Sequence, residues 1–324
     1  MNIAMIGSGG MARRHLGTVA AEPGVTIVGH ASPTPGHAEE AAQRWGGRAY
    51  TSHEALLEKE NLDAAWICVP PGSHDAIEGD LIGRNIPFFV EKPLSADRET
   101  PEEIAALLDH RNLIVGVGYH WRALDTIPEV QRTLAEHPAK MILGAWHDRT
   151  PPPRWWRKQE SSGGQIVEQA THLFDMARYI AGEARVIAAT ADRHERPDYP
   201  EMDVADVSSA LLRYDSGATG IFTATCLLYH KVEVHVKVIC EGLHITITQN
   251  SVVYDDGHER REVRTGNDPV QSENRAFLAA VRQNDPSLVT CSYADALNSH
   301  RLCLDVRAAG ARQSEIEKNR YGER

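Results

Sequence analysis

A segment near the middle of the chain carries side chains that can move protons. Glu168, His172 and Asp175 follow the pair Gly163-Gly164 at spacings of i, i+4 and i+7. On one helix these positions share a face, because spacings of four and seven residues change the direction of the side chain around the helix axis by only about 20–40°. A histidine beside carboxylates suits proton transfer near neutral pH. A capped helix with a surface Glu–His pair has the same pattern. A metal is disfavoured, since neither HExxH nor a second suitably spaced histidine is present.

A lysine is the second candidate for acid–base chemistry. Glu91-Lys92-Pro93 directly follows the apolar run Phe88–Val90, which has the length and composition of a buried strand. Beside a cationic group the charged form of a lysine is disfavoured, which makes it a better acid, base or hydrogen-bond donor near neutrality. The alternative is an ordinary Glu–Lys ion pair on a surface loop.

A glycine-rich loop near the start of the chain predicts nucleotide binding. It reads Gly7-Ser8-Gly9-Gly10-Met11-Ala12, the pattern G-x-G-x-x-A, between an apolar run and a helical stretch. Gly7 allows a tight turn, Gly9 lets a pyrophosphate approach the backbone, and Ala12 permits close helix–strand packing. Gly10 and Met11 open the helix, whose free N–H groups and dipole attract phosphates. A glycine turn without a ligand is the alternative.

The acidic residue expected after the second strand of such a domain is missing. The stretch reads Gly29-His30-Ala31-Ser32-Pro33-Thr34, with Ser32 in the place of the acid. A carboxylate there would bind a ribose 2′-hydroxyl, whereas the hydroxyls of Ser32 and Thr34 can donate to a 2′-phosphate. The sequence therefore favours NADP over NAD, although no arginine is adjacent. A plain Ser-Pro-Thr turn is the alternative.

A third strand end adds candidates for cofactor contacts. Val69-Pro70-Pro71 ends an apolar run, and His74 opens the next helical stretch. Prolines at the carboxyl end of a strand form a rigid edge, where an α/β sheet binds its ligand. We therefore expect Val69, Pro70, Pro71 and His74 to contact the cofactor together with Glu91 and Lys92. A loop without a ligand has the same composition.

Hydrophobic periodicity indicates which elements position these groups. Over the first 118 residues short runs rich in Val and Ile alternate with helical stretches, which predicts a parallel sheet covered on both faces. Beyond that point one amphipathic helix is expected over 166–181, and then strands dominate. The predicted fold class is α/β: an N-terminal doubly wound parallel sheet of the Rossmann type over 1–121, and a C-terminal α+β domain on a large, mostly antiparallel open sheet over 122–324.

Composition limits the class of protein. A chain of 324 residues with 42% hydrophobic and 24% charged residues suits about two globular domains. The net charge of −11 disfavours nucleic acids as partners. The five cysteines are widely spaced without a CxxC pair, as in a reducing cytoplasm, and no export signal or membrane-length apolar run is present. We therefore expect a cytoplasmic protein with no nucleic-acid or membrane partner and no metal.

The motifs together resemble the glucose–fructose oxidoreductase, inositol dehydrogenase and rhizopine-catabolism (Gfo/Idh/MocA) family. The ordered set is Gly7–Ala12, Val69–Pro71, Glu91–Pro93, Gly118–Arg122 and Gly163–Asp175, over about the first 180 residues. The resemblance implies an NAD(P)-binding Rossmann domain, and a substrate domain whose open sheet commonly mediates homodimers or homotetramers. It also implies oxidation or reduction of one hydroxyl or ketone carbon of a sugar, sugar derivative or cyclitol.

The resemblance also assigns catalytic roles. Lys92 falls on the family's catalytic lysine, Pro93 on a proline that is often cis, and His172 on the catalytic histidine. Glu168 stands where the family usually has Asp, and Ala170 where it usually has Gly. His172, or Lys92 with it, would take the hydroxyl proton as hydride leaves for the nicotinamide, with Glu168 orienting or relaying. Which of the two is the formal base stays open.

Further polar and aromatic side chains are candidates for substrate contacts. Indoles stack on sugar faces and Arg or Gln bonds hydroxyls, although paired tryptophans also pack in cores. The predicted substrate residues are His120, Arg122, Trp155, Trp156, Arg157, Gln165 and Asp175. Because Arg122 or Arg157 could instead hold an acid or a phosphate, a sugar acid or sugar nucleotide stays open as substrate.

Two other functions fit the same motifs. One is a redox-neutral glycosidase of this fold that holds NAD tightly and oxidises its substrate transiently. The other is a non-catalytic regulator that senses the cofactor. Lys92 and His172 argue against a regulator, because cofactor sensing needs neither side chain.

Overall fold

The chain forms two compact units in a computed structural model that describes residues 1–74 and 76–321. The first unit comprises Met1–Ala123 and Asp268–Leu297, and the second comprises Leu124–Asn267 and the chain from Asn298 onward. This differs from the predicted division at residue 121 in one respect. The segment 268–297, expected in the second domain, packs with the first unit.

The first unit is built on a six-stranded parallel sheet with the strand order β3-β2-β1-β4-β5-β6. This is the predicted Rossmann sheet. Its elements in chain order are β1 (Asn2–Ile6), α1 (Gly10–Val19), β2 (Thr26–Ala31), α2 (His37–Trp45), β3 (Arg48–Tyr50), α3 (His53–Lys59), β4 (Ala64–Ile67), α4 (Ala76–Gly83), β5 (Phe88–Val90), α5 (Glu99–Leu108) and β6 (Val115–Val117). The sequence did not reveal β3, because Arg48-Ala49-Tyr50 contains no Val or Ile and does not form an apolar run.

The returning segment 268–297 completes both faces of this sheet. On one face Phe277 packs edge-on against Trp66, with ring centroids 5.1 Å apart, and against Phe89 at 5.7 Å. On the other face Cys291 and Tyr293 join the core, and the carbonyl of Cys291 accepts a hydrogen bond from the backbone of β6. Sequence order alone hides this packing, because nearly 150 residues of the second unit intervene.

The second unit is built on an eight-stranded sheet with the order β14-β13-β12-β11-β7-β10-β9-β8. All neighbours are antiparallel except β7 and β10, which confirms the predicted class. The elements are α6 (Ile127–Glu136), β7 (Met141–Arg149), α7 (Gln159–Ser162), α8 (Gln165–Glu168), α9 (Thr171–Ala181), β8 (Ala184–Asp192), β9 (Val207–Tyr214), β10 (Thr219–Leu228), β11 (Glu233–Cys240), β12 (Leu243–Ile247), β13 (Ser251–Asp255) and β14 (Arg260–Arg264). Two further helices, α10 (Pro269–Gln283) and α11 (Tyr293–Tyr321), follow β14.

The helix expected over 166–181 is interrupted. It forms the short α8 and the longer α9, with Gln169 and Ala170 between them. The amide of Ala170 donates to the carbonyl of Gln165, five residues back, so the regular i to i−4 ladder is broken there. Glu168 and His172 therefore lie on two different helical segments, and the assumption of one continuous face was wrong.

No helix among residues 1–74 and 76–321 combines the length and apolar character needed to cross a membrane.

Candidate active site

The glycine loop is shaped by its contact with the end of β4. Gly7 has φ of +99°, and a Cβ there would lie 2.2 Å from the carbonyl oxygen of Cys68. No side chain can occupy that space, since the obstacle is backbone rather than a flexible side chain. Two strand ends therefore approach each other only because residue 7 is glycine.

The other side of the loop is open, as a bound dinucleotide requires. A Cβ at Gly9 or Gly10 would meet no described atom within 4 Å, and Met11 is exposed. Within the described residues no side chain caps the N-terminus of α1, and the first turn holds no acid. Ala12 is buried against the sheet. These residues fit a pyrophosphate, because uncapped N–H groups and the helix dipole face open space.

The loop after β2 keeps a hydroxyl donor where an acid is usual. Ser32 is buried, and its Oγ accepts a hydrogen bond from the backbone N–H of Thr34 at 3.3 Å. Among the described residues the hydroxyl hydrogen of Ser32 has no acceptor, so it can donate to a ligand. Thr34 is exposed. The first turn of α2 holds Glu39 and Glu40, which oppose an anion at that helix end.

The predicted cofactor contacts after β4 lie in and next to one short turn. Pro71 begins a single 3₁₀ turn, Pro71–Ser73, and Val69 and Pro70 are half-buried before it. The imidazole of His74 is buried and pairs with Glu78 through Nδ1. This pairing uses Nδ1 of His74, so a contact of its side chain with a cofactor would involve Nε2.

The segment after β5 joins a buried carboxylate to a half-buried lysine. Glu91 accepts a hydrogen bond from Nε2 of His15 at 2.8 Å, and the Lys92–Pro93 peptide is cis. Burial alone would raise the pKa of Glu91. The hydrogen bond and charge of His15, with the charge of Lys92, outweigh burial and hold that pKa below its ordinary value.

The two candidates after β6 have different environments. Burial lowers the pKa of His120 to about 4, so its imidazole is neutral at neutral pH. The side chain of Arg122 is almost fully buried and pairs with Asp295. Because a carboxylate already neutralises its guanidinium, the substrate contact predicted for Arg122 is not supported by the structure.

In the second unit Glu168 is held by a tryptophan. The indole Nε1–H of Trp156 donates to Oε2 of Glu168 at 2.7 Å. Trp156 is only 1% exposed and belongs to a core cluster with Met202, Val204 and Cys226. Trp156 thus packs in this core, and its stacking on a sugar stays a prediction that these contacts do not support.

His172 is supported by a second tryptophan. The ring of Trp146, on β7, stacks on the imidazole with centroids 6.1 Å apart and 19° between their planes. This near-parallel packing limits how far the ring of His172 can tilt. Only the tertiary structure shows this contact, because the sequence leaves β7 and α9 unconnected.

Asp175 has the contacts of a structural residue. Its Oδ1 accepts a hydrogen bond from Ser299 at 2.6 Å, and Ser299 in turn accepts one from Arg178 at 2.7 Å. The side chain is fully buried. These hydrogen bonds show that Asp175 helps to hold the fold, and its substrate contact stays a prediction.

The remaining predicted substrate residues are partly accessible, or already have some of their polar groups paired within the protein. Arg157 lies over the ring of Tyr199 at 4.4 Å and pairs with Glu201 at 2.8 Å. Trp155 is half-buried beside the same cluster as its neighbour. Gln165 is buried; its amide nitrogen donates to Gln169, and its Oε1 has no partner among the described residues.

Comparison with known proteins assigns the family. The oxidoreductase family model with an NAD-binding Rossmann fold matches residues 1–119, and the Gfo/Idh/MocA C-terminal domain model matches 139–246. The chain belongs to the Gfo/Idh/MocA family. The predicted resemblance is confirmed, and with it the prediction of an NAD(P)-dependent oxidoreductase.

Several relatives in this family are characterised dehydrogenases. The chain is 26% identical to levoglucosan dehydrogenase of Pseudarthrobacter phenanthrenivorans, over 86% of this chain and 79% of that protein. It is 28% identical to the NAD(+)-dependent scyllo-inositol 2-dehydrogenase of Bacillus subtilis, over 73% and 70% of the two chains.

Solved structures of the family share the fold. A levoglucosan dehydrogenase in complex with NADH superposes with a TM-score of 0.87 at 20% identity, covering 97% of both chains. A 3-ketoreductase from Actinomadura kijaniata, in complex with NADP and TDP-benzene, superposes with a TM-score of 0.83 at 20% identity, covering 95% and 97%.

Sequence reasoning missed the residues that support the candidate groups. His15 lies on the apolar face of α1 with Ala12 and Leu16, where a polar residue is a signal in itself. Glu273 and Asn274 interrupt the buried face of α10 in the same way. Nothing in the sequence connects either helix to Glu91, so the signal identifies the residues without their partner.

We expect Trp156→Phe to lower kcat/KM about 10-fold with the fold intact. Phenylalanine keeps the ring in the core cluster, but Glu168 loses a charge-assisted hydrogen bond, worth about 1.5–3 kcal/mol. Steady-state kinetics and a thermal unfolding midpoint measure the two effects. Trp45→Phe, the same change in the first unit, serves as control. Wild-type kcat/KM in folded Trp156→Phe would show that this hydrogen bond does not serve the reaction.

Proposed function

We propose that the enzyme transfers a hydride between a nicotinamide cofactor and a hydroxyl or ketone carbon of a sugar, sugar derivative or cyclitol. The observation that carries the proposal is the acid–base set Lys92, His172 and Glu168, retained in a chain whose relatives act on levoglucosan and inositols. A protein that only senses the cofactor has no use for such a set.

The first unit offers the residues that would hold the cofactor. Gly7, Gly9 and Gly10 leave room for the pyrophosphate, and the N-terminus of α1 supplies N–H donors. The strand ends at Val69–Pro71 and Glu91-Lys92 form the same carboxyl edge of the sheet. When bound, the nicotinamide supplies the hydride acceptor or donor.

The protein's own residues handle the proton. His172, or Lys92 with it, takes the hydroxyl proton during oxidation and returns it during reduction. Stacking on Trp146 orients His172, and the hydrogen bond from Trp156 orients Glu168. Holding these groups in place before the substrate arrives lowers the entropic cost of reaching the transition state.

The charges around the substrate candidates favour a neutral polyol. Arg122 pairs with Asp295, and Arg157 pairs with Glu201, so neither guanidinium offers a free positive charge to an acid or a phosphate. Neutral His120 is a hydrogen-bond donor and acceptor at neutral pH, which suits hydroxyl groups. We therefore place sugars and cyclitols ahead of sugar acids and sugar nucleotides.

Purified protein given NAD+ or NADP+ with inositols, aldoses and anhydrosugars should reduce the cofactor, seen as absorbance at 340 nm. Lys92→Ala should lose at least about 100-fold in kcat, in line with loss of general acid–base catalysis, while cofactor affinity is largely kept. Near-wild-type turnover in Lys92→Ala would contradict the mechanism. Cleavage of glycosides without net change in cofactor would favour the redox-neutral glycosidase instead.

We further propose a preference for NADP over NAD. The support is Ser32, whose hydroxyl hydrogen is available at the end of β2 where an acid would repel a 2′-phosphate. Titration should give a lower Kd for NADP+ than for NAD+. Ser32→Asp should reverse the order and weaken NADP+ by about 10-fold or more, whereas Ser32→Ala should weaken it less. Equal binding of both cofactors by the wild type would refute this assignment.

We also propose a homodimer or homotetramer formed through the open face of the second unit's sheet. Ile221 is 41% exposed there, paired across strands with exposed Leu211, and Ile187 is exposed nearby. Adjacent exposed aliphatic side chains on a sheet favour burial against a second copy. Light scattering should give two or four times the monomer mass, and Ile221→Lys should lower it. A monomeric wild type would contradict this.

We propose a cytoplasmic location on the chemistry of the cysteines. All five are buried free thiols, which suits a reducing compartment.

A further inference from the structure

A buried carboxyl group from α10 lies beside the Glu-Lys-Pro segment and has no role in the reaction proposed so far. Glu273 is 1% exposed, and neither of its oxygens has a hydrogen-bond partner among the described residues. Its carboxylate oxygen, an oxygen of Glu91 and a ring nitrogen of His15 all lie within 4.8 Å of one another. Oε2 of Glu91 also lacks a partner in the described part of the chain. Two buried carboxyl groups, each with an oxygen that has no partner among the described residues, therefore lie close together.

The positions of the protons in this cluster follow from a group that can only donate a hydrogen bond. Trp66 donates its indole N–H to Oδ1 of Asn274 at 2.9 Å, and an indole N–H can only donate. The atom that faces Nδ1 of His15 at 2.9 Å is this same oxygen. Nδ1 must therefore carry a hydrogen. One proton then lies between Nε2 of His15 and Oε1 of Glu91, 2.8 Å apart.

The charge states of the two carboxyl groups differ. Burial and the negative charges of Glu91 and Asp268 raise the pKa of Glu273 well above its ordinary value. The hydrogen bond and the charge of His15 oppose the effect of burial and lower the pKa of Glu91. Glu273 is thus a neutral acid with one O–H donor, and its neighbour Glu91 is an acceptor with one oxygen unsatisfied. Two buried carboxyl groups this close are most stable when one is neutral and the other ionised, because two adjacent negative charges repel.

A cation would satisfy the same three residues, but the distances favour a proton. Two ligands at 2.0 Å from a tetrahedral ion lie about 3.3 Å apart. The 2.8 Å between His15 and Glu91 is that of a direct hydrogen bond.

We propose that Glu273 is a positioning residue for the reaction: as a neutral acid it donates to Oε2 of Glu91 and keeps Glu91 ionised next to Lys92. The inference rests on the role proposed for Lys92. Gly118 permits the arrangement, because a Cβ there would lie 2.8 Å from Oε1 of Glu91. Without the donor, the proton shared with His15 would move onto Glu91, and Lys92 would lose its neighbouring negative charge.

The other ionisable groups near Glu91 or Glu273 come from several elements of the first unit. His15 lies on α1, Cys68 follows β4, His120 follows β6 and Asp268 caps α10. Burial and the two glutamates raise the pKa of the Cys68 thiol, so it stays neutral, as His120 does. Glu91, which lies next to Lys92 and shares a proton with His15, is therefore the group that responds when Glu273 is changed.

Two neutral replacements of similar size distinguish the effect of the hydrogen-bond donor at residue 273 from an effect of packing. Glu273→Gln keeps an N–H donor, and Glu273→Leu removes it. In the direction of alcohol oxidation, Glu273→Leu should move the pH of half-maximal kcat/KM about one unit lower, because a less ionised Glu91 stabilises the ammonium of Lys92 less. Glu273→Gln should stay within about 0.3 units of wild type. Identical profiles for the two folded variants, or a shift in both, would overturn the proposal.

Thermal unfolding tests whether the carboxyl group of Glu273 is neutral in the folded protein, and it does not depend on enzyme activity. Unfolding frees Glu273 to ionise, so wild-type stability should fall relative to Glu273→Gln as pH rises from about 5 to 8. A constant difference over this range would show that Glu273 is ionised in the folded protein and would overturn the proposal. A pH profile that changes with chelator or with added Zn²⁺ would overturn it in favour of a cation.

The two proposals fail in distinguishable ways. Active Lys92→Ala contradicts the proposed function, whereas the unfolding comparison still reports whether Glu273 is neutral. Inactive Lys92→Ala together with an unshifted Glu273→Leu profile contradicts only the role of Glu273.

Discussion

The first unit depends on the hydrogen bonds that converge on Asn274. Its side chain accepts from Trp66 on β4 and from His15 on α1, and it donates to Thr18 at 2.6 Å. Buried polar groups are costly unless they are paired, so these partners must assemble together. Through His15 the network extends to Glu91 and the start of the Glu-Lys-Pro segment. The helix that carries Asn274 lies far along the chain, and the first unit is complete only when that helix packs against it.

The second unit supports its candidate groups by a different means. Two tryptophans, Trp146 and Trp156, hold His172 and Glu168 by stacking and by a hydrogen bond. The extra methylene of Glu168, relative to the aspartate usual in the family, accompanies its hydrogen bond to a tryptophan in the core. A lengthened carboxylate that would otherwise sample several rotamers is thereby held at one oxygen. In the second unit a packed aromatic side chain thus contacts each of the two candidate groups.

Local signals were sufficient wherever a function depends on consecutive residues. The loop Gly7–Ala12 and the strand ends before Pro70 and Lys92 were identified because the chemistry and the chain direction coincide there. They did not reveal the partner of a side chain when that partner lies elsewhere in the chain. Trp156, Arg122 and Asp175 have residue types that bind sugars, yet Glu168, Asp295 and Ser299 occupy them. Residue type states which contacts a side chain can make, and it leaves open which contact it makes.

The amino-acid sequence by itself determined the parallel sheet, the largely antiparallel second sheet, the glycine loop and the identity of Lys92 and His172 as candidates. These follow from periodicity and short motifs, which depend on neighbours within a few residues. Only the tertiary structure decided that 268–297 completes the first unit, that the helix at 166–181 breaks, and that Glu273 lies beside Glu91. Those features depend on contacts between residues far apart in the chain, where packing and desolvation outweigh local preference.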